Sequence, residues 1–189
     1  MKKSDLDFWQ GMAAHYTKFM RRSAPLYTEI CNHIRPHLTR DMNVLELACG
    51  TDQLSFPLWE ATDASSNMIA EAKKRSGSSR LHFSVRDASC LPYASETFDA
   101  VVIANALHIL PEPEKVLREA RRVLKPGGWL FAPTFVHAGG KLARLRTWGM
   151  ERTGFRVYHA WNAGEFIAYL SSHDFWVTEH TLLGGRVLP

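Results

Sequence analysis

A chain of 189 residues with 46% apolar and 22% charged side chains is long enough to bury a core without disulfide or metal staples, and is most simply one domain. Its formal charge of +4 is scattered over Arg21, Arg35, Arg118, Arg144 and Arg186, unlike the dense basic stripe of a nucleic-acid binder. Cys31, Cys49 and Cys90 are odd in number and lack a Cys-x-x-Cys pair, so neither a disulfide framework nor a metal site is expected; with no apolar run of membrane-span length and no signal-type start, a reduced cytoplasm fits best.

In chain order, residues 5 to 19 have helical spacing of Leu6, Phe8, Trp9, Met12 and Phe19, and Pro25 opens a second helix carrying Leu26, Ile30 and Ile34 that ends at Pro36. These two helices form a preface of the kind that in a cofactor enzyme commonly lies across the site as a cover, with Tyr16 able to close over a ligand; Tyr16 reads equally as a packing aromatic of an amphipathic helix. Asn43 to Asp52, NVLELACGTD, then reads as a strand buried on both faces running into a small-residue turn. Glu46 is a charge inside that apolar run.

Gln53 to Leu58 allows barely two turns of helix before a second strand from Trp59 to Thr62, ending at Asp63. A parallel crossover needs a dozen or more residues, and six helical residues span only about 9 Å against a strand of about 16 Å. The short path predicts that residues are missing between Leu58 and Trp59, with their Cα atoms farther apart than the ~3.8 Å of a trans peptide. Ser65 or Ser66 caps a helix through Met68, Ile69 and Ala72 to about Ser76. A third strand, Leu81 to Val85, ends in Arg86-Asp87-Ala88, and a fourth, Ala100 to Ile103, finishes at Asn105.

Pro113 starts a helix with Val116, Leu117, Ala120, Val123 and Leu124 on one face. Pro126-Gly127-Gly128 breaks it, and Trp129 to Phe135 is a fifth strand. Beyond it come a basic helix from Lys141 to about Arg152, a capping box at Asn162 to Glu165, a strand from Phe175 to Leu183, and a turn at Gly184-Gly185 leading to a final strand. The alternation defines an α/β, doubly wound, mainly parallel Rossmann-like sheet with an N-terminal helical cover.

In such a sheet ligands lie beyond the carboxyl ends of the strands. Asp63 at the second strand end suits a ribose diol, and Asp87 with the Ala88 backbone suits an adenine edge; each Asp taken alone also reads as a turn or helix cap. The turn has Ala48 and Asp52 where a pyrophosphate-binding turn carries glycine, so phosphate would meet a carboxylate. A cofactor with a sulfonium and an ammonium tolerates Glu46 and Asp52. Asp52 reads equally as a cap of the short helix, and Met68 as core with adenine contact secondary.

The segments VLELACGTD, ATDASSNMI, VRDASCLPY, FDAVVIANALHIL and VLREARRVLKPGGWL together resemble the class I S-adenosylmethionine-dependent methyltransferases, in the small-molecule group typified by the ubiquinone and menaquinone methyltransferases. The resemblance covers about Asn43 to Phe135. It implies that the methionine part of S-adenosyl-L-methionine lies against Glu46, Ala48, Cys49, Gly50 and Thr51 under Tyr16, that Asp63 and Ala64 hold the ribose, that Met68, Asp87 and Ala88 face the adenine, and that Asn105 contributes backbone contacts. It also implies one methyltransferase domain, with residues 1–40 as preface, 43–135 as cofactor core and 136–189 on the substrate side.

The expected reaction is methyl transfer by in-line displacement to a small organic acceptor, in which alignment carries most of the catalysis. A general base is needed only where the acceptor loses a proton. His108 is the first candidate, with Tyr16, His137 and His159 behind it; the bland reading is a packing or surface histidine. Trp148, Tyr158 and Trp161 read as acceptor-pocket or core aromatics. The alternatives are an RNA methyltransferase and a non-catalytic cofactor-binding or partner-binding protein.

Overall fold

Successive strand residues point to opposite faces of a sheet, and here the sequence supplies apolar side chains for both. The computed structural model describes residues 3–20, 23–52, 54, 60–76, 81–136 and 155–184. Strands β1 (Val44–Leu47), β2 (Glu60–Asp63), β3 (His82–Val85), β4 (Phe98–Val102) and β5 (Leu124–Phe131) form a parallel sheet in the order β3-β2-β1-β4-β5. The winding reverses between β1 and β4, which opens a crevice beyond their carboxyl ends.

Helices α1 (Lys3–Met20) and α2 (Ala24–Ile34) precede β1, α3 (Ser66–Arg75) joins β2 to β3, α4 (Pro113–Val123) joins β4 to β5, and α5 (Ala163–Ser171) follows. On one face Leu45, Leu47, Val101 and Ile103 pack with Val116, Leu117 and Ala120 of α4 and with Phe166 and Leu170 of α5. On the other, Val44, Ala61, Ala100 and Val102 pack with Tyr27, Ile30 and Ile34 of α2 and Ile69 of α3. Helices on both faces are the doubly wound arrangement expected from the alternation of elements. Local chemistry sets several boundaries: Pro25 stands in the first turn of α2, the Ser65 hydroxyl accepts from Met68 N at 3.2 Å to cap α3, and Asn162 with Glu165 forms a reciprocal capping box on α5.

Three strand assignments need correction. β4 begins at Phe98 and ends at Val102, two residues ahead of the expected start at Ala100. β5 begins at Leu124, ahead of the Pro-Gly-Gly turn, and ends at Phe131. Phe98 pairs with Leu124 and Ala100 with Trp129, so Lys125 to Gly128 loop out opposite Asp99 alone. Asp99 holds this bulge: its carboxylate accepts from Lys125 Nζ at 2.6 Å and from Asn43 N at 2.8 Å. A Cβ on Gly128 would stand 2.9 Å from the Asp99 carbonyl oxygen, so the bulge admits only glycine there.

The third correction concerns Phe175 to Leu183, which forms no ladder among the described residues. Its apolar residues lie at its two ends, and Phe175 and Val177 pack on the α4 side of the sheet while Leu183 packs on the α2 side. Glu179 lies 3.6 Å from His37, just beyond α2. The segment crosses the sheet edge instead of running along it. The Gln53–Leu58 helix, the Leu58–Trp59 junction, the Lys141–Arg152 helix with Trp148, His137 and the final strand after Gly185 lie outside the described residues. Among the described residues no helix is long and apolar enough to cross a membrane.

Candidate cofactor site

The strand ends at the crevice are built from backbone conformations that L residues avoid. Ala48 (φ 55°), Gly50 (φ 57°) and Asp52 (φ 59°) are all left-handed in the turn after β1, and Asn105 (φ 54°) is left-handed after β4. Non-glycine residues held this way gather where a fold spends stability on a site. Asp63 stabilises the turn, accepting from Gly50 N at 2.9 Å through one oxygen and from Ser65 N at 2.8 Å through the other. Each carboxylate oxygen keeps a lone pair for a further donor.

A cleft opens here, about 890 Å³ counting its open mouth. Of the residues expected from the sequence, Ala48 and Gly50 line it at β1, Asp63, Ala64 and Met68 at β2, Asp87 and Ala88 at β3, and Asn105 at β4. Tyr16 of α1 lines it from above: a Cβ on Gly50 would meet Tyr16 Cε1 at 3.2 Å. Burial, reinforced by Tyr27 and Asp63, drives the Tyr16 hydroxyl well above its ordinary pKa. It therefore stays protonated at neutral pH as a hydrogen-bond donor. Tyr27 of α2 joins roof to floor, sharing a hydrogen bond with Tyr16 and accepting from Asn105 Nδ2 at 3.2 Å.

Glu46, Cys49 and Thr51 are brought to the turn but do not line the cleft; all three are buried behind it. Burial, with Asp52 and Asp63 nearby, holds the Glu46 carboxyl well above the usual carboxylate range, and its Oε2 has no hydrogen-bond partner. Burial also lifts Asp52 to about 6, against the pull of Arg75. Thr51 accepts a hydrogen bond at 2.9 Å from Thr17 of α1.

The structure does not bring His108 to the cleft. It is buried in a single 3-10 turn (Leu107–Ile109), with Nδ1 3.2 Å from Thr134 Oγ1 and its ring edge-on to Phe135. Its carbonyl accepts from the backbone N–H groups of Tyr158 and His159, at 3.0 and 3.1 Å, and so anchors the segment leading to α5. His159 stacks on Trp161 at 4.8 Å, and Trp161 packs in the core beside α5. Tyr158 reaches α1, donating from its hydroxyl to Asp5 at 2.9 Å.

Sequence reasoning missed Trp9, which lines the cleft from α1 one residue before Gln10, and the run Ile109 to Glu112, which lines the far wall. Trp9 stands seven residues before Tyr16, hence on the same helical face, and that spacing was the available signal. Trp9 is fixed edge-to-face by Phe8, Tyr16 and Phe155.

The sheet order, the left-handed turn after β1 and the carboxylates ending β2 and β3 define a class I methyltransferase fold with its cofactor crevice. Residues 45–132 match the family described as "Methyltransferase domain". The chain is 42% identical over 93 residues to the ubiquinone/menaquinone biosynthesis C-methyltransferase UbiE of Desulfotalea psychrophila, covering 45% of this chain and 38% of the relative. It is 36% identical over 121 residues to the demethylmenaquinone methyltransferase of Renibacterium salmoninarum, covering 61% and 47%. It thus spans less than half the length of these curated relatives. Among solved structures, a Thermotoga maritima S-adenosylmethionine-dependent methyltransferase, possibly a histamine N-methyltransferase, superposes with a TM-score of 0.74 at 20% identity over 90% of this chain and 81% of that one. The DhpI complex with S-adenosylmethionine superposes at 0.68 and 22% identity over 90% and 87%. The chain thus has the class I methyltransferase fold, and its central segment is similar to the methyltransferase domain family and to the ubiquinone and menaquinone methyltransferases.

The residues present fit that cofactor. A carboxylate with open lone pairs ends β2, the cleft floor is left-handed backbone, and an unpartnered buried carboxyl oxygen of Glu46 stands behind the turn.

Proposed function

We propose that this protein transfers a methyl group from S-adenosylmethionine to a small organic acceptor. The observation that carries the reading is the continuity of one cleft from Asp87 and Ala88, past Asp63, to Gly50 and Asn105 under a roof of Trp9 and Tyr16. The cofactor supplies a methyl group already activated by its sulfonium, so the protein has no leaving group to protonate.

The chain's own residues bind and orient. Asp63 takes the ribose hydroxyls and Asp87 with Ala88 the adenine edge, while Met68 supplies apolar contact. The β1 turn takes the amino-acid end. Glu46, Asp52 and Asp63 make this end acidic, which suits a cationic cofactor and repels phosphate. Tyr16, its hydroxyl engaged by Tyr27, covers the turn from above and excludes water. In this reading catalysis rests on alignment, which is worth several kcal/mol or more of barrier, with Tyr16 covering the turn and His108 anchoring the segment before α5. In this reading residues 43–135 hold the cofactor, the preface roofs it, residues 136–189 face the acceptor, and the protein works in the cytoplasm.

The test is calorimetric titration of the full-length protein with S-adenosylmethionine and S-adenosylhomocysteine, followed by a metabolite screen for methyl transfer. Binding of both, with one or more methylated products, is expected. Absence of binding overturns the reading.

A further inference from the structure

Helix α1 precedes the matched segment 45–132, yet one of its polar side chains fastens it to the cofactor site. Gln10 Oε1 accepts from Ser65 Oγ at 3.1 Å, from Asn67 N at 3.0 Å and from Ser66 Oγ at 3.4 Å. Its Nε2 donates to Ser66 Oγ at 3.2 Å, and its backbone carbonyl accepts from Asn67 Nδ2 at 3.0 Å. An amide whose oxygen and nitrogen are both engaged by three consecutive residues is a specific clamp, beyond what helix packing requires.

One of the clamped residues, Ser65, also holds Asp63. Ser65 is fully buried; its hydroxyl donates to Gln10 while accepting the capping bond from Met68 N, and its N–H donates to Asp63. The other Asp63 oxygen accepts from Gly50, and Gly50 lies against Tyr16, six residues and about 9 Å along α1 from Gln10. The path Gln10, Ser65, Asp63, Gly50, Tyr16 is a closed ring that begins and ends on one helix.

We propose that Gln10 is a positioning residue for the cofactor: through Ser65 it fixes the Asp63 carboxylate for the ribose diol, and through α1 it seats Tyr16 over the turn. The inference rests on the cofactor reading above. It assigns Gln10 no contact with the cofactor.

The test compares S-adenosylhomocysteine with its 2′-deoxyribose analogue, by calorimetry on the full-length protein. Charged hydrogen bonds to the diol give the wild type a preference of at least tenfold for the ribose ligand, and Asp63→Ala removes it. Gln10→Ala is expected to narrow that preference to about threefold or less and to speed dissociation, read by the fluorescence of Trp9 against a Trp9→Phe background. Gln10→Met keeps the side-chain length without the hydrogen bonds and should behave the same way. Gln10→Glu keeps the Oε1 acceptor, places its charge at the start of α3 where the helix dipole favours it, and should restore the wild-type preference. Equal weakening of both ligands by the Ala and Met variants would make Gln10 a packing residue of α1 and overturn the proposal, as would no change in either. A wild type that binds neither ligand overturns the cofactor reading itself, and is thereby distinguishable from a failure of Gln10 alone.

Discussion

Asp52 occupies a left-handed position, φ 59°, in the turn after β1, with a partly exposed carboxyl whose pKa burial raises from 3.8 to about 6. Two separable penalties follow. The conformational one is independent of pH: a left-handed non-glycine residue costs roughly 1–2 kcal/mol, from which glycine's greater freedom in the unfolded chain subtracts about 0.5–1. The electrostatic one depends on pH. The unfolded chain loses this proton near 3.8 and the folded one near 6, so ionisation is harder in the fold; the destabilisation is absent below 3.8, grows through the interval and is complete above about 6. A shift of this size corresponds to about 3 kcal/mol for a fully buried group, and solvent screening of this partly exposed one lowers it to about 1–1.5. Asp52→Asn, which tolerates the left-handed region, should therefore match wild type at pH 4 and exceed it by about 1–1.5 kcal/mol at pH 8. Asp52→Gly should add about 0.5 kcal/mol at both. Urea midpoints measured at half-unit pH steps check this. An Asn-minus-wild-type difference that stays flat from pH 4 to 8 would refute the electrostatic argument.

Gly50→Ala combines a left-handed backbone with a Cβ 3.2 Å from the Tyr16 ring, so it should displace the roof and weaken S-adenosylhomocysteine at least tenfold by calorimetry, while destabilising the protein by about 1–2 kcal/mol. Asp63→Asn retains volume but loses charge, and should reduce cofactor affinity by about 1.5–3 kcal/mol; unchanged affinity would misplace the ribose. Gly128→Ala, with its 2.9 Å approach to the Asp99 carbonyl, should cost about 2 kcal/mol or more in thermal or urea unfolding and leave cofactor affinity of the folded fraction intact.

What was legible in the sequence was local. Val44 to Leu47, α4 and the capping box at Asn162 follow from spacing and end chemistry within a dozen residues. Asp63 and Asp87 were found because a carboxylate after an apolar run is itself a local pattern. The early start of β5 depends on Leu124 meeting Phe98 across a four-residue bulge, and nothing near Pro126 announces that partner. Phe175 to Leu183 carries apolar and β-branched residues without a ladder among the described residues, and composition cannot say whether a neighbour is there. The inward turn of Trp9, the clamp at Gln10 and the turn of His108 toward Thr134 are likewise set by residues distant in sequence.

The division of the cofactor site between α1 and the sheet also decides how the protein breathes. The latches at Asp5, Gln10 and Thr17 are single side chains, whereas β1 and most of β4 beneath are buried on both sides, so α1 can undock while the sheet stays intact. A bound cofactor suppresses only those openings that expose it, by RT ln(1 + [L]/Kd). Amide exchange in α1 should therefore slow on binding while exchange limited by small fluctuations elsewhere does not, making the helix a built-in reporter of occupancy.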